Sequence, residues 1–321
     1  MATSTSITTT YAGEFAGKYV SAMLLSGNTI ANGVIEVKPN VKYKEVLKRV
    51  EIDSIVADAT CDFSDTSTVT LTERIIEPKS LQVNLELCKT PFASDWEAID
   101  MGFSAHDNLP KTFSDYFIGQ LSAKIAQKTE LDIWGGTAGA GSFDGFSTLL
   151  LADAAHTGTK KIVGEAITAA NVVDELGKVV DAIPEQLLQN EGLYVYVANN
   201  VFRAYKRALG GFQANGQGAA GVNAQGNNQD INVTMFDGIK VTPVNGLPSN
   251  KMIATTKDNL YFATGLISDH NEIRLLDMAD ISGSQNVRFI ARYTAAVQYA
   301  VVEDIVSVSY THLTLPTKRI V

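Results

Sequence analysis

Histidines and closely spaced carboxylates are the side chains of this sequence best suited to metal binding or acid–base catalysis. The four histidines lie far apart in the chain: His106, His156, His270 and His312. None has a second histidine, cysteine or carboxylate at the spacing of two metal ligands on one helix, and no His-Glu-x-x-His motif occurs. Asp62 and Asp65 could hold a cation, but a solvated turn is the more common setting for such a pair. The sequence therefore predicts no metal site.

Two glycine-rich segments have the composition of a phosphate-binding loop. Residues 216–221 read Gly-x-Gly-x-x-Gly, but no apolar strand precedes them and the Asn/Gln-rich segment that follows cannot be a helix. Residues 135–146 follow a helix rather than a strand, and no Gly-Lys-Ser/Thr sequence comes after them. We therefore expect no cofactor. A ligand-binding α+β protein that uses these glycine loops is kept as an alternative.

Nucleophilic catalysis has no recognisable signature either. The sequence contains no Gly-x-Ser-x-Gly elbow, and Cys61 and Cys88 lack a local catalytic motif. Two cysteines are too few for a disulfide scaffold, so we interpret both as reduced, strand-borne and structural, with pairing across a hairpin left open. The sequence predicts that the chain is not an enzyme and has no catalytic residues.

Charge and composition narrow the possible partners. The 321 residues are 45% hydrophobic and carry a net charge of −9, which disfavours an ordinary nucleic-acid-binding module because such modules need clustered lysine and arginine. No apolar run reaches the roughly 18 residues that a membrane helix needs, and the N-terminus lacks a signal-peptide pattern. We expect a protein with no membrane partner that is intracellular at synthesis.

A long amphipathic helix is predicted over residues 111–134. Phe113, Phe117, Leu121 and Ile125 recur every four residues, with polar side chains between them. Pro110 precedes the segment, and two glycines end it. The chain before this helix is extended and polar, whereas the chain after it has the pattern of a compact mixed domain. The helix is therefore expected to act as a structural spine.

Residues 41–90 carry the clearest β-strand signal. Residues 68–77 and 81–88 both alternate between apolar and polar side chains, and Pro78 lies between them. This pattern predicts a long two-stranded antiparallel ribbon with its turn at residues 78–80. An isolated ribbon is marginal in water, so it must lie against something. A neighbouring subunit and an edge of a sheet in the same domain are about equally compatible with the pattern.

The remainder of the chain predicts an α+β unit. A helix is expected over 168–183, a buried strand over 193–198 and a second helix over 201–209. Residues 210–229 are a low-complexity glycine-rich loop. Strands follow at 232–243, where Asp237-Gly238 predicts a hairpin turn, and at 252–256, 260–264, 272–276 and 286–305.

The order of these parts resembles the major capsid protein of tailed bacteriophages, the Hong Kong 97-type fold. The stretches that carry the resemblance are ERIIEPKSLQVNLELCKTPFASDWEA, DIWGGTAGAGSFDGF, LYVYVANNVFRAYKRAL, MFDGIKVTPVNGLP and NVRFIARYTAAVQYAVVEDI, within residues 13–305. The resemblance implies an N-terminal arm (1–40), an extended E-loop (41–90), a peripheral domain (91–165 and 287–307) that contains the spine helix, and an axial domain (166–286).

The resemblance also implies a structural function. The chain would assemble with itself into the hexamers and pentamers of an icosahedral phage head. Assembly would take place in the host bacterial cytoplasm. In the virion, the chain would enclose double-stranded DNA without sequence-specific binding. Since little sequence precedes residue 13, a separate scaffolding protein is implied, with a portal and a maturation protease. An encapsulin-like nanocompartment shell is the alternative. The expected intersubunit contacts are Phe63, Val69, Leu71, Ile75, Leu81 and Val83.

Residues 308–321 look foreign to the rest of the chain. VSYTHLTLPT, at 308–317, resembles one reading frame through a transposase-type sequencing-library adapter, which would suggest an assembled metagenomic fragment. Read as ordinary sequence, it would be a strand that ends at Pro316. On that interpretation the genuine C-terminus is missing or ends near Val306, which resequencing across the junction would test.

Overall fold

The computed structural model describes residues 28–52, 68–88, 111–208, 234–265 and 274–309, with the single positions 56, 58 and 61. The strands are β1 (Glu36–Lys38), β2 (Glu45–Ile52), β3 (Val69–Ile76), β4 (Lys79–Cys88), β5 (Lys161–Val163), β6 (Leu193–Ala198), β7 (Thr234–Phe236), β8 (Ile239–Val244), β9 (Met252–Thr256), β10 (Leu260–Thr264), β11 (Arg274–Asp277), β12 (Asn286–Tyr299) and β13 (Val306–Ser309). The helices are α1 (Asn28–Ala31), α2 (Lys111–Gly135), α3 (Phe146–Ala152), α4 (Val172–Asp181), α5 (Asn199–Ala208) and α6 (Ala279–Ser282), with 3₁₀ turns at Gly158–Lys160, Glu185–Leu187 and Lys257–Asn259.

A six-stranded mixed sheet forms one layer, in the order β5-β13-β9-β6-β8-β7. Its central strand β6 has the sequence LYVYVA and is almost wholly buried, as its β-branched and aromatic composition predicts. Helix α4 buries Val172, Leu176 and Val179 in the same core, and α5 follows β6 directly. The predicted Asp-Gly hairpin is confirmed: β7 and β8 join at Asp237 (φ 47°) and Gly238 (φ 81°), both left-handed as a two-residue hairpin turn requires.

A five-stranded sheet is built around β12, in the order β1-β10-β12-β11, with β4 also paired to β12. The two strands are antiparallel: Asn286 of β12 lies opposite Cys88 of β4, and the pairing continues residue by residue to Ala295 opposite Lys79. Strands β10 and β11, which the expected domain division assigned to the axial part, pair with β12 instead. Strand β13, expected near the end of the peripheral part, joins the six-stranded sheet through β9.

The prediction that β3 pairs with β4 in a two-stranded ribbon is wrong. Strand β3 pairs with β2, from Ile76 opposite Glu45 to Val69 opposite Ile52, and β4 runs along β12. The chain does not reverse at Pro78. It continues in the same direction, because the apolar face of β4 (Leu81, Val83, Leu85) packs into the core. An antiparallel ribbon therefore exists, but it comprises β2 and β3.

The long helix α2 is confirmed, and the side chains near its C-terminal end are buried in the core. Trp134 is fully buried, with ring centroids 5.3 Å from Phe146 and 4.9 Å from Tyr196. Its indole N–H donates to Thr29 Oγ1 at 2.7 Å, and Thr29 in turn donates to the buried Glu130 carboxylate. Burial raises the pKa of Glu130 above its usual range. Helix α2 therefore fastens the segment that contains α1 to the body.

Several predictions fall on residues that the structure does not describe: the glycine-rich loop 210–229, Phe63, Asp62, Asp65, and three of the four histidines. Val308 and Ser309, the first residues of the segment attributed to an adapter, belong to β13. Among the described residues, no helix is long and apolar enough to cross a membrane.

Candidate assembly surface

One face of the β2–β3 ribbon is apolar and exposed. Three cross-strand pairs lie on this face: Val46 opposite Ile75, Val50 opposite Leu71, and Ile52 opposite Val69. Their exposed fractions range from 39% for Val46 to 71% for Leu71. The only charged pair on the face is Lys48 opposite Glu73. We call these eight residues the ribbon face. An exposed apolar surface of this kind is typical of a surface that another molecule covers.

The opposite face of the ribbon is fixed to the body, in part by charged side chains. Arg49 Nη1 donates to Glu303 Oε2 at 2.6 Å, and Arg74 Nη2 donates to Asp153 Oδ2 at 2.6 Å. The Arg74 guanidinium also lies 4.4 Å from the centroid of the Tyr299 ring. The inward face of the ribbon therefore combines charged anchors with the buried Leu47 and Ile76, while three of the four pairs on the outward face are apolar.

A small apolar cluster holds the base of the ribbon. Leu47 and Ile76 are buried with Val41, Ala263 and Ala296, and Gln298 Nε2 donates to the Ile75 carbonyl at 3.1 Å. Towards the free end, residues 50–52 and 69–71 are exposed on both faces. The base is therefore part of the protein core, while the outer half of the ribbon projects from it.

The expected contact residues separate into two groups. Val69, Leu71 and Ile75 lie together on the ribbon face, whereas Leu81 is buried in the core and Val83 packs against it. Phe63 lies outside the described residues. Leu81 is only 7% exposed, because its side chain packs into the core, so it has little surface left for a neighbouring molecule. The ribbon face also contains Val46, Val50 and Ile52, and their even-numbered positions along β2 were the available signal, obscured by Lys48 between them and by Leu47 on the other face.

Other chemistry is sparse in the described part of the chain. It contains no group of three histidine, cysteine or carboxylate side chains that could hold a metal ion. His156 is buried, and its Nε2 lies 2.7 Å from Ser307 Oγ. Burial lowers the pKa of His156, and the nearby Lys161 lowers it further. Cys88 ends β4, and both Cys61 and Cys88 are exposed.

The Arg74–Asp153 contact should make a measurable contribution to the free energy of unfolding. Burial alone would raise the pKa of Asp153, but hydrogen bonds from Tyr299, from the Ala155 N–H and from Arg74 outweigh it and lower the pKa. A carboxylate with a lowered pKa stabilises the fold above its unfolded pKa, and that stability is lost as the pH falls through the folded value.

We expect a coupling of about 1 kcal/mol between Arg74→Met and Asp153→Asn at pH 7, fading below the ordinary aspartate range. Urea unfolding of the two single variants and the double variant measures it at each pH. Additive effects at pH 7 would mean that the contact contributes nothing to stability.

No family model matches the sequence, and no curated protein matches it. The fold matches solved structures over most of the chain. The capsid of a native GTA particle aligns with a TM-score of 0.59 and 14% identity, over 90% of each chain.

Two further structures extend this match. The procapsid of satellite phage P4, with its size-determination protein Sid, aligns with a TM-score of 0.55 and 10% identity, over 91% of this chain and 98% of the other. A virus-like particle from Pyrococcus furiosus aligns with a TM-score of 0.52 and 11% identity, over 92% and 98%. At such identities the similarity concerns the fold. The expected resemblance is confirmed at that level: the chain has the mixed α+β fold of phage capsid proteins.

Proposed function

We propose that this protein is the structural subunit of a phage capsid and that it acts by assembling with copies of itself. The observation that carries the proposal is the ribbon face, an exposed apolar strip on a chain with the capsid fold. Such a strip is unfavourable on a free monomer, and burial against a second copy removes it from water. Assembly would therefore stabilise an element that the single chain leaves exposed.

Each part of the fold has an expected place in the shell. The β2–β3 ribbon corresponds to the E-loop and would reach a neighbouring subunit with Val50, Leu71 and the other residues of the ribbon face. Helix α2 would be the spine of the peripheral domain, next to the sheet around β12. The six-stranded sheet with α4 and α5 would form the axial domain, at the centre of each hexamer or pentamer. Residues 1–40 would form the N-terminal arm.

The net charge is more compatible with a shell that encloses DNA than with a protein that recognises a DNA sequence. A chain with a net charge of −9 does not attract phosphate, so it would hinder the entry of a packaged genome less than a basic wall would. The proposed partners are other copies of the chain, a separate scaffolding protein, a portal, a maturation protease and double-stranded DNA bound without sequence preference.

Electron microscopy of the purified chain tests this proposal. We expect rings of five or six subunits, or closed hollow particles, with a population that grows with protein concentration, because the ribbon face needs a partner. Mass photometry of the same samples should give masses that are multiples of five or six chains. A chain that stays monomeric at high concentration, both alone and with the scaffolding protein of its own gene cluster, would contradict the proposal.

An encapsulin-like shell is the second candidate, favoured by the match to the Pyrococcus furiosus virus-like particle. It would use the same ribbon contacts but would enclose an enzyme rather than a genome. Neighbouring genes distinguish the two: portal, terminase and protease genes indicate a phage, and a cargo enzyme gene indicates a nanocompartment. The assembly experiment tests what both candidates share.

A further inference from the structure

Three exposed arginines lie close together on the outer face of the five-stranded sheet. Arg288 and Arg292 lie two residues before and after Ile290 on β12, and Arg274 of β11 lies directly opposite Ile290. Residues two apart on a strand share a face and are separated by roughly 7 Å, while cross-strand neighbours are about 5 Å apart. The three arginines therefore surround Ile290, and we call Arg274, Arg288 and Arg292 the arginine patch.

The arginine patch keeps a net positive charge on a chain whose net charge is −9. An open concavity of about 380 Å³ is lined by Asn84, Glu86, Arg288 and Arg292, among others. On the described part of this face of β4, β11 and β12, Glu86 is the single carboxylate. It pairs with Arg288 at 3.1 Å, with both side chains about half exposed, and such surface pairs are weak. Within the described part of the chain, Arg292 takes part in no ion pair.

The segment that connects the two ribbon strands has the opposite charge. Residues 53–68, which we call the ribbon tip, contain Asp53, Asp58, Asp62 and Asp65 and no lysine, arginine or histidine. They join the outer ends of β2 and β3, the part of the ribbon that projects from the core. Opposite charges on two surfaces steer their encounter and fix their register. The ribbon tip therefore offers the negative charge that the arginine patch lacks.

The ribbon tip of one chain lies beyond the reach of the arginine patch of the same chain. Strands β3 and β4 follow one another along β12, where Gln298 Nε2 donates to the Ile75 carbonyl and Gln82 lies opposite Arg292. From the ribbon end at Val69 to Gln82, the extended chain spans roughly 40 Å at about 3.3 Å per residue. The ribbon tip must leave Ile52 and return to Val69, so it extends at most about 29 Å beyond them. A ribbon tip on this patch must therefore come from another chain.

We propose that the arginine patch is the docking site for the ribbon tip of a second copy of this chain. The guanidinium groups of Arg288 and Arg292 would pair with aspartate carboxylates of the neighbour, because arginine binds carboxylates in a fixed fork geometry. The contact joins two different surfaces, so it is heterologous and closes into a ring when the rotation permits. This inference rests on the proposed function, and it adds a charged contact to the apolar contact of the ribbon face.

Exchanging the charges of the two surfaces tests the proposal. A patch variant carries Arg288→Glu and Arg292→Glu, and a tip variant carries Asp58→Lys, Asp62→Lys and Asp65→Lys. Each variant should fold, which circular dichroism checks, since the arginines and Asp58 are exposed. Each variant alone should need roughly tenfold more protein for half-maximal assembly, or more, because the attraction between tip and patch becomes a repulsion. Mass photometry measures the assembled fraction.

Two matched controls separate this contact from a general effect of charge. A chain with all five substitutions should assemble like the unaltered chain, because tip and patch attract each other again. An equimolar mixture of the patch variant and the tip variant should also assemble, in rings with an even number of subunits, because each tip meets a patch of opposite charge on the other kind of chain. Normal assembly of either variant alone, or no recovery in the mixture or in the chain with all five substitutions, would overturn the proposal.

A peptide measurement keeps this test separate from shell assembly. A fluorescent peptide of residues 53–68 is titrated with the unaltered chain and with the patch variant, both monomeric and at low salt, where charged contacts are least screened. Fluorescence anisotropy should show roughly tenfold weaker binding to the patch variant. Equal responses to the two chains, including no binding to either, would contradict the proposal whether or not the unaltered chain assembles. If the arginine patch instead bound the phosphates of packaged DNA, the patch variant would assemble normally and lose only DNA content, which would also refute it.

Discussion

A chain in which Val50 and Leu71 are both replaced by aspartate should fold, remain monomeric and fail to form closed particles. The two side chains lie directly opposite each other on the ribbon face, and both are more than half exposed in the single chain. Charging them therefore costs the monomer little. In a contact with a second copy, the change removes about 3–6 kcal/mol of apolar burial and places two carboxylates in a desolvated surface.

The matched control places the same charges on the other face of the ribbon. Thr70→Asp with Thr72→Asp adds two carboxylates on the same strand pair, where Thr72 lies opposite Arg49. This variant should assemble like the unaltered chain. Mass photometry gives the fraction of assembled chain, and circular dichroism confirms that the monomers are folded. If both double variants lost assembly equally, the two faces of the ribbon would not differ in function.

Replacing Trp134 with alanine should cost about 3–5 kcal/mol of folding free energy. The side chain is fully buried and contacts Phe146 and Tyr196, and its indole N–H holds Thr29. Few residues could relax into the cavity, because Gly136 and Gly145 already approach the backbone of Asp132 closely. Domains are usually stable by only about 5–15 kcal/mol, so this is a large share of the total.

Thermal unfolding measures the effect of the Trp134 change, which should lower the midpoint by on the order of 10 °C. Trp134→Phe is the control, because it keeps most of the ring contact and loses only the hydrogen bond to Thr29. It should cost much less than alanine. If phenylalanine and alanine were equally destabilising, the bond to Thr29 rather than the packing would hold this part of the fold together.

Local patterns in the sequence were sufficient to predict the long helix α2, the buried strand β6 and the Asp237-Gly238 hairpin. In each case the signal is contained within a few residues: a four-residue repeat, a run of β-branched and aromatic side chains, or a turn that needs left-handed backbone. The partners of a strand are not local in this sense. Alternation in β3 and β4 predicted two strands correctly but could not say that β3 pairs with the preceding strand β2 and that β4 pairs with β12, far away in sequence.

The candidate surface was predictable only in part for the same reason. Leu71 and Leu81 have the same alternating context, yet Leu71 is exposed on the ribbon and Leu81 is buried in the core. Strand β2 escaped prediction because Val46 and Leu47 are adjacent and point to opposite faces, which breaks the alternation. The polar anchors Arg49 and Arg74 are ordinary surface residues in the sequence, and only the fold brings Glu303 and Asp153 to them.

Asn259 lies where the chain crosses between the two sheets, and its hydrogen bonds should make this crossing rigid. Its side-chain amide donates to Thr255 Oγ1 and to the Val301 carbonyl, and it accepts from the N–H groups of Ala300 and Val301. One buried side chain thus ties the β9–β10 crossing to the end of β12. We expect a force applied to one sheet to be transmitted to the other through these hydrogen bonds, with little change in the angle between the two sheets. If the chain forms a shell as proposed, we therefore expect its curvature to depend on the angles between neighbouring subunits, while each subunit keeps the same conformation.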